Sequence, residues 1–246
     1  MPHFFVKSET INNGYAVICD EDNYRHIAKS LRVRAGEKLL LIDENKIQYE
    51  TVVEQITSRE ITAKIENSYK SARNLDFRLY LAQSPLRSDA QSVIIEKATE
   101  LGAEAVYPVF TDNCSLNKSV IEKKITKWQR IMYEASKQCE RADIPTCGNL
   151  ATLEKLLSEH NFDKIIAFCE RRTSRTLHEY CLENPVKKGE KVLVIIGPEG
   201  GFSDKEFDFF KENNIPMLTL GDLILKAETA VIVALGNIIY EYSNQK

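Results

Sequence analysis

No uncharged apolar run in this 246-residue chain is long enough to cross a bilayer, so no membrane span is expected. The opening residues MPHFFVKSETI lack an apolar h-region, and no secretory signal is expected either. The six cysteines (Cys19, Cys114, Cys139, Cys147, Cys169, Cys181) are scattered, with no Cys-x-x-Cys pair and no histidine at ligand spacing. That speaks against a zinc site and against a disulfide framework, and leaves buried or idle thiols in a reducing cytoplasm. The four histidines (His3, His26, His160, His178) stand apart from any nucleophile-elbow pattern, so a Ser-His-Asp hydrolase has no local support. G-x-G-x-x-G and G-x-x-x-x-G-K-[ST] are both missing, which removes the usual dinucleotide and P-loop signatures. With no H-E-x-x-H and no carboxylate cluster, no metal is expected. Internal repeats and low-complexity segments are also lacking.

What is present is an ordinary globular composition, 43% hydrophobic and 28% charged, with length for one large domain or two small ones. The formal net charge of -3 counts mildly against a nucleic-acid binder, but its distribution is uneven. Arg25, His26, Lys29, Arg32, Arg34 and Lys38 form one basic group, and Lys118, Lys123, Lys124, Lys127, Arg130, Lys137 and Arg141 a second. Acid gathers at Asp204, Glu206, Asp208 and Glu212. Each basic group is either a solvated face or a contact for a polyanion.

Residues 1–70 read as short strands: FFV, YAVI, EKLLLID, KIQYETVVEQI and EITAKIE, separated by turns such as Asn12-Asn13-Gly14 and Ala35-Gly36-Glu37. This spacing suggests a small β-barrel. Between the second and third runs, EDNYRHIAKSLRVRAG reads as a helix with Arg25, Lys29 and Arg32 on one face. Tyr24 and His26 add rings able to stack on bases, unless Ile27 and Leu31 simply pack on the barrel while the charges face water. The polar stretch 67–76 is taken as a domain boundary, giving domains 1–70 and 71–246.

From Phe77 onward, strands alternate with helices, which predicts an α/β domain with a mainly parallel sheet covered on both faces. FRLYLAQS, AVYPVF, KIIAFCE, KVLVII and IPMLTLG are the strands. Ser88 and Gln91 form a capping-box pattern before a helix with Ala90, Ile94, Ala98 and Leu101 on its apolar face, ended by Gly102. Ile121, Ile125, Trp128, Met132, Ala135 and Cys139 mark the seam of one long helix, whose other faces carry Arg130, Glu134, Lys137 and Gln138. A short helix near Leu153–His160 and a final helix through Ala230, Val231, Ala234 and Ile238 complete the pattern.

The chain is organised around KVLVIIGPEGGF, Lys191–Phe202. A buried strand ends in a turn of Gly197, Pro198, Glu199, Gly200 and Gly201, and Ser203 with Glu206 then caps a helix. Glycines remove the Cβ that would keep a ligand from the backbone, so this is either a ligand loop or a tight connector. Loops at Phe168-Cys169-Glu170 and from Thr219 to Ala230 leave neighbouring strands, and ligands of open α/β sheets sit beyond such strand ends. With Lys226 as the nearby cation, an adenine-ribose ligand suits these loops better than a triphosphate.

Four segments carry a family resemblance. GPEGGFS, followed by LGDLILKAETA, resembles the signature of the RsmE family of ribosomal RNA uracil-N3 methyltransferases, of the SPOUT class. EKATELGA, WQRIMYEASKQCER and the basic HIAKSLRVRAGEKLLLID are similar, in order, to that family's first helix, a middle segment and its PUA-like domain. The chain departs at Leu223 and Lys226, where the family often has Arg, and at Glu140, where it often has Gly or another small residue. Lys keeps the charge but loses planar bidentate recognition.

The resemblance implies an S-adenosylmethionine-dependent enzyme with a C-terminal trefoil knot, working in the cytoplasm as a homodimer on 16S ribosomal RNA or the small ribosomal subunit. It implies cofactor contacts from Glu170, Ile196, Gly197, Pro198, Glu199, Gly200, Gly201, Leu220, Gly221, Ile224 and Leu225. Glu134 or Glu228 would be the base for uracil N3, and Arg141 or Lys226 the anion stabiliser; equally, Glu228 caps its helix and Glu134 pairs with Arg130. Arg25, His26, Lys29, Arg32 and Arg34 would meet RNA. Ala230 and Ala234 on the final helix would face either a second subunit or the chain's own core. Two rival readings stay open: a knotted methyltransferase acting on tRNA or ribose oxygen, and a non-catalytic RNA-binding or ribosome-assembly protein.

Overall fold

The computed structural model describes residues 1–70, 75–170 and 172–244, with the Ser88 side chain also outside the description. The chain divides into two compact units: Met1–Asn74 with Ser136–Asp143, and Leu75–Ala135 with Ile144–Lys246. The second segment of the first unit comes from a stretch that reads, by sequence, as part of the C-terminal domain. Part of the polar boundary stretch, 71–74, lies outside the described residues.

The first unit holds strands β1 (His3–Phe5), β2 (Ile11–Asn12), β3 (Tyr15–Ile18), β4 (Lys38–Ile42), β5 (Ile47–Ile56) and β6 (Ile61–Lys70) in the order β1-β4-β5-β6-β3-β2. All neighbours are antiparallel except β1 and β4. The β2–β3 hairpin turns through Asn13 (φ +48°) and Gly14 (φ +81°), the two left-handed positions a tight right-twisting hairpin demands. Phe4, Ile18, Leu39, Leu41, Val53 and Ile61 meet in one core, so the inward faces of the curved sheet converge as in a barrel.

The basic helix differs from the expected one. It starts as α1 (Glu21–Tyr24), with the Asp20 carboxylate accepting from Asn23 N, then widens into π-helical turns over Arg25–Ser30. Leu31 N donates to His26 O at 2.9 Å, an i→i−5 bond. Widened turns no longer stack residues four apart, and Arg32 lies past the helix at φ +53°, so Arg25, Lys29 and Arg32 do not share one helical face. Ile27 is buried, whereas Leu31 is 46% exposed, so only the first of the two packs on the barrel.

The second unit holds a parallel sheet in the order β12-β10-β11-β7-β8-β9: β7 (Arg78–Gln83), β8 (Ala105–Pro108), β9 (Thr146–Cys147), β10 (Lys164–Phe168), β11 (Lys191–Ile196) and β12 (Met217–Leu218). Strand residues alternate between two cores. Leu79, Leu81, Val192 and Val194 face α2 (Ser88–Glu100) and α8 (Ala227–Ser243), while Tyr80, Ala82, Leu193 and Ile195 face α5 (Leu153–Glu159) and α7 (Asp204–Glu212). The α2 capping box turns on the Ser88 side chain, which is outside the description; Gln91 Oε1 accepts instead from Leu86 N at 2.8 Å.

The expected long helix is two, α3 (Lys118–Glu122) and α4 (Ile125–Gln138), because Lys124 N turns back to Ile121 O at 2.8 Å. Its seam nonetheless holds: Ile121, Trp128, Met132 and Ala135 are buried. A helix the periodicity does not reveal, α6 (Leu177–Glu183), follows the polar stretch after β10 and opens on a full capping box between Thr176 and Glu179. Ala230 and Ala234 on α8 are buried inside the chain's own core, which leaves Tyr240, 70% exposed, on the outer side of that helix. Among the described residues, no helix is long and apolar enough to cross a membrane.

Candidate functional site

Three parallel strands end side by side. In the pairing register Phe168 of β10 stands opposite both Ile196 of β11 and Leu218 of β12, so the loops that follow leave one edge of the sheet within about 10 Å of each other. Glu170, Gly197–Gly201 and Leu220–Leu225 sit on those loops, so the expected cofactor residues are brought to one edge. Two of the loops are tied: Thr219 N donates to Arg175 O at 2.9 Å, and Thr176 bridges Thr219.

The glycine turn has a tight local geometry. Gly201 N closes on Pro198 O at 2.9 Å. A Cβ on Gly197 would stand 3.2 Å from the Phe202 ring, and one on Gly200 would stand 3.1 Å from Asn113 Cβ. Gly201 (φ +69°) and Gly221 (φ +125°) occupy left-handed backbone that side chains avoid. Gly221 is held by Thr219, whose Oγ1 accepts from Gly221 N at 3.1 Å and donates to Gly221 O at 2.9 Å. Beyond the turn, Ser203 Oγ accepts from Glu206 N at 3.3 Å and Glu206 Oε2 accepts from Ser203 N at 2.7 Å, the capping box expected for α7.

Several residues at this edge are silent in the sequence. Asn113 Nδ2 donates to Gly201 O at 3.1 Å and to Gly200 O at 3.3 Å, and Ser203 Oγ donates to Asp112 at 2.6 Å. Ser84 and Thr111, both buried, share a hydroxyl hydrogen bond of 2.6 Å, and Ser84 N donates to Ile196 O. Gln83, in register with Ile196, is fully buried, and its Oε1 has no partner among the described residues. Following the strand-end rule to β7 and β8, and not only to β10–β12, is the signal that finds them.

The apolar wall is uneven. Leu220 and Leu225 are half-buried, whereas Leu223 (79%) and Ile224 (57%) are exposed. Lys226 takes the N-cap position of α8 without a side-chain capping bond, and Glu228 lies in that helix's first turn, where a carboxylate complements the dipole. Glu134 is exposed on α4. Cys169, at the end of β10, is a protonated thiol, pushed up to about 12 by burial and then by Glu170.

Arg141 belongs to the first unit, where its side chain is 12% exposed and bonds Asp143 at 3.0 Å; Lys46 Nζ reaches the same carboxylate at 2.9 Å. The Asp143 carboxyl lies below its ordinary value: burial pushes it up, but the Arg141 charge and the Lys46 hydrogen bond outweigh burial. Of the basic N-terminal residues, Lys29, Arg32 and Arg34 are exposed, while Arg25 pairs with Glu21 at 2.7 Å. His26 is half-buried, packing edge-on to Phe4 with Lys137 Nζ 3.2 Å from its Nδ1.

Two protein-family profiles match the chain: an RNA methyltransferase domain over residues 73–239 and an RNA methyltransferase PUA domain over residues 18–66. Relatives named ribosomal RNA small subunit methyltransferase E include one from Bacillus subtilis, 25% identical over 89% of this chain and 88% of its own length. One from Mesomycoplasma hyopneumoniae is 28% identical over 97% of this chain and 99% of its own. Among solved structures, a Legionella pneumophila methyltransferase with bound S-adenosylmethionine superposes with a TM-score of 0.83 at 25% identity, covering 96% of both chains. A Neisseria gonorrhoeae ribosomal RNA small subunit methyltransferase E bound to S-adenosylmethionine gives 0.84 at 22% identity over 98% of both chains, a likeness of fold.

Proposed function

We propose that this chain, which belongs to the RNA methyltransferase family, methylates N3 of a uridine in 16S ribosomal RNA of the small subunit, using S-adenosylmethionine. The observation that carries this reading is the convergence of the β10, β11 and β12 loops at one sheet edge, in a chain matching ribosomal RNA small subunit methyltransferase E relatives nearly end to end. The residues fit the cofactor. A glycine-rich turn at Gly197–Gly201, the left-handed Gly221 and the buried Gln83 Oε1, without a partner among the described residues, suit a ligand held mainly by backbone and buried amide groups.

When bound, the cofactor supplies a methyl on a sulfonium that departs as a neutral thioether, so no residue has to protonate a leaving group. The chain's tasks are positioning and control of one proton. Gly197–Gly201, Leu220, Gly221 and Leu225 would hold the donor, and correct placement of two reactants is worth roughly 7–11 kcal/mol of the barrier. The uracil N3 proton goes to a carboxylate, Glu228 or Glu134, and the resulting anion is met by Lys226. Arg141 serves as anion stabiliser only if it gives up Asp143, which makes Lys226 the stronger assignment. The first unit binds RNA through Lys29, Arg32 and Arg34; the C-terminal loops form the family's trefoil knot; and the cytoplasmic enzyme is a homodimer, using the outer face of α8 around the exposed Tyr240.

Calorimetric titration with S-adenosylmethionine, run beside Gly200→Val, is the test. Micromolar-range binding abolished by the substitution supports the cofactor loop, and mapping the methylated atom on small-subunit RNA separates N3 from ribose or tRNA chemistry. A folded wild-type protein that binds RNA but no cofactor would instead be a non-catalytic ribosome-assembly factor.

A further inference from the structure

A cleft lies on the β7-β8-β9 side of the parallel sheet. It encloses about 610 Å³, within the size range of small-ligand sites. Its lining joins residues of β7, β8 and β9 and the segment 148–151 to α5 and His160 just beyond it, and none of these residues belongs to the loops assigned to the cofactor. Tyr107 pairs with Ala82 of β7, and the cleft flanks the β8–β9 side of the sheet, whereas the loops assigned to the cofactor follow β10, β11 and β12.

The walls are aromatic and organised. Tyr80 and Tyr107 stack at 6.3 Å with 26° between planes, His160 lies 5.0 Å from Tyr107, and Phe162 backs both tyrosines. Gly148 is part of the construction: a Cβ there would stand 2.5 Å from the Tyr107 ring, so only glycine lets that ring lie against the backbone. At the rim Arg78 bonds Glu104 at 2.6 Å and sits 5.7 Å over Tyr80, whose hydroxyl donates to the same carboxylate at 3.1 Å. Burial, then Glu104, raises the Tyr80 phenol above its ordinary value. The tyrosine is therefore fixed as a donor to that carboxylate.

Charge decides the class of ligand. Arg78 and Lys155 bring two positive charges, and Glu104 and Glu159 bring two negative ones, with Lys155 lying 3.7 Å from Glu159. A cleft so balanced gives no net pull on a phosphate, yet it offers flat rings with donors and acceptors around them. We propose that this cleft is a nucleobase-binding site: it takes a neutral, planar, hydrogen-bonding heterocycle against Tyr107 and His160. An unstacked base of a bound RNA strand supplies that chemistry, and so does a free nucleoside. Stacking on aromatic side chains is tolerant of sequence and suits a contact with a base other than the modified one.

The experiment uses the full chain with two variants, Tyr107→Ala and the exposed His160→Ala, each checked for an unchanged melting temperature and cofactor affinity. Adenosine and uridine are titrated at millimolar concentrations against the wild-type protein, with the tyrosine and histidine ring resonances followed by NMR. Shifts confined to Tyr80, Tyr107 and His160, and lost in both variants, are expected. Their absence with both nucleosides overturns the proposal. Small-subunit RNA fragments separate the sources: a fivefold or greater loss of fragment affinity in both variants identifies a base of the RNA strand, and unchanged fragment affinity with the nucleoside shifts intact identifies a free nucleoside. The nucleoside arm requires no methyl transfer, so a failed methylation reading leaves this result standing, and the reverse holds too.

Discussion

Asn113 and Gly200 are interlocked. The side-chain amide of one donates to the carbonyl of the other at 3.3 Å, and the missing Cβ of Gly200 is the space that Asn113 Cβ closes to 3.1 Å. The loop after β8 thus holds the turn after β11 by two carbonyls, those of Gly200 and Gly201. Asn113→Ala removes both donors while adding no bulk. Each hydrogen bond is worth about 1 kcal/mol, so S-adenosylmethionine affinity is expected to fall about five- to thirtyfold. Calorimetry reads this directly; unchanged affinity would show that the turn holds its shape unaided.

Asp143 gathers Arg141 and Lys46, and its depressed carboxyl makes the first unit's stability pH-dependent. The folded value lies below the ordinary 3.8, so the pair's contribution is complete above that pH and is lost as pH falls through the folded value. At neutral pH, Asp143→Asn is expected to cost about 1.5–3 kcal/mol, the range for hydrogen bonds to charged groups. Below the folded value the gap between variant and wild type closes. Urea denaturation at neutral and acid pH measures it, and a gap that persisted in acid would mean the carboxylate's charge contributes nothing.

The cysteines give a third expectation. Burial pushes the Cys147 and Cys169 thiols up to about 12 and Cys181 to about 11, so at neutral pH these three are protonated as well as shielded. Cys19 is exposed. A thiolate-specific alkylating reagent should label Cys19 in the native protein and reach the three buried thiols only on unfolding. Mass mapping after a short exposure tests this, and native labelling of Cys169 would mean the β10 loop opens readily.

Much of this architecture is legible in residue order. The Ser203–Glu206 capping box, the apolar run Val192–Ile196 and the Asn13-Gly14 hairpin act within a few residues, and each forms as local chemistry dictates. Periodicity loses the break between α3 and α4 because Ile121 and Ile125 keep the apolar seam running through the Lys123-Lys124 turn. It loses α6 because seven residues barely exceed one apolar repeat, although Thr176 and Glu179 announce the helix start. At the site, the glycine turn could be read from the sequence, but Gln83, Ser84, Thr111 and Asn113 could not. They are 85 or more residues from Gly200 along the chain apart from the strand order, and only the β11-β7-β8 pairing makes them neighbours. Glu140 shows the converse: its φ of +58° accounts physically for the small residue expected there from the family resemblance.

Arg32 carries the last expectation. It is an exposed cation on left-handed backbone (φ +53°), fixed just past the π-helical turns and close in sequence to Lys29 and Arg34. An arginine held off the helix axis can approach a phosphate without drawing the helix with it. If Arg32 meets one phosphate, Arg32→Glu weakens binding of small-subunit RNA evenly across sequences and reduces the salt slope of log K by about one unit. Cofactor affinity stays unchanged, because the substitution lies in the first unit, away from the β10–β12 loops in the chain. Arg32→Gly relieves the backbone while removing the charge, so it should lose RNA affinity without losing stability. Filter binding at several salt concentrations, beside calorimetry with S-adenosylmethionine, separates the cases. Equal loss of RNA and cofactor binding in Arg32→Glu would exclude a phosphate contact and mark a general loss of folding.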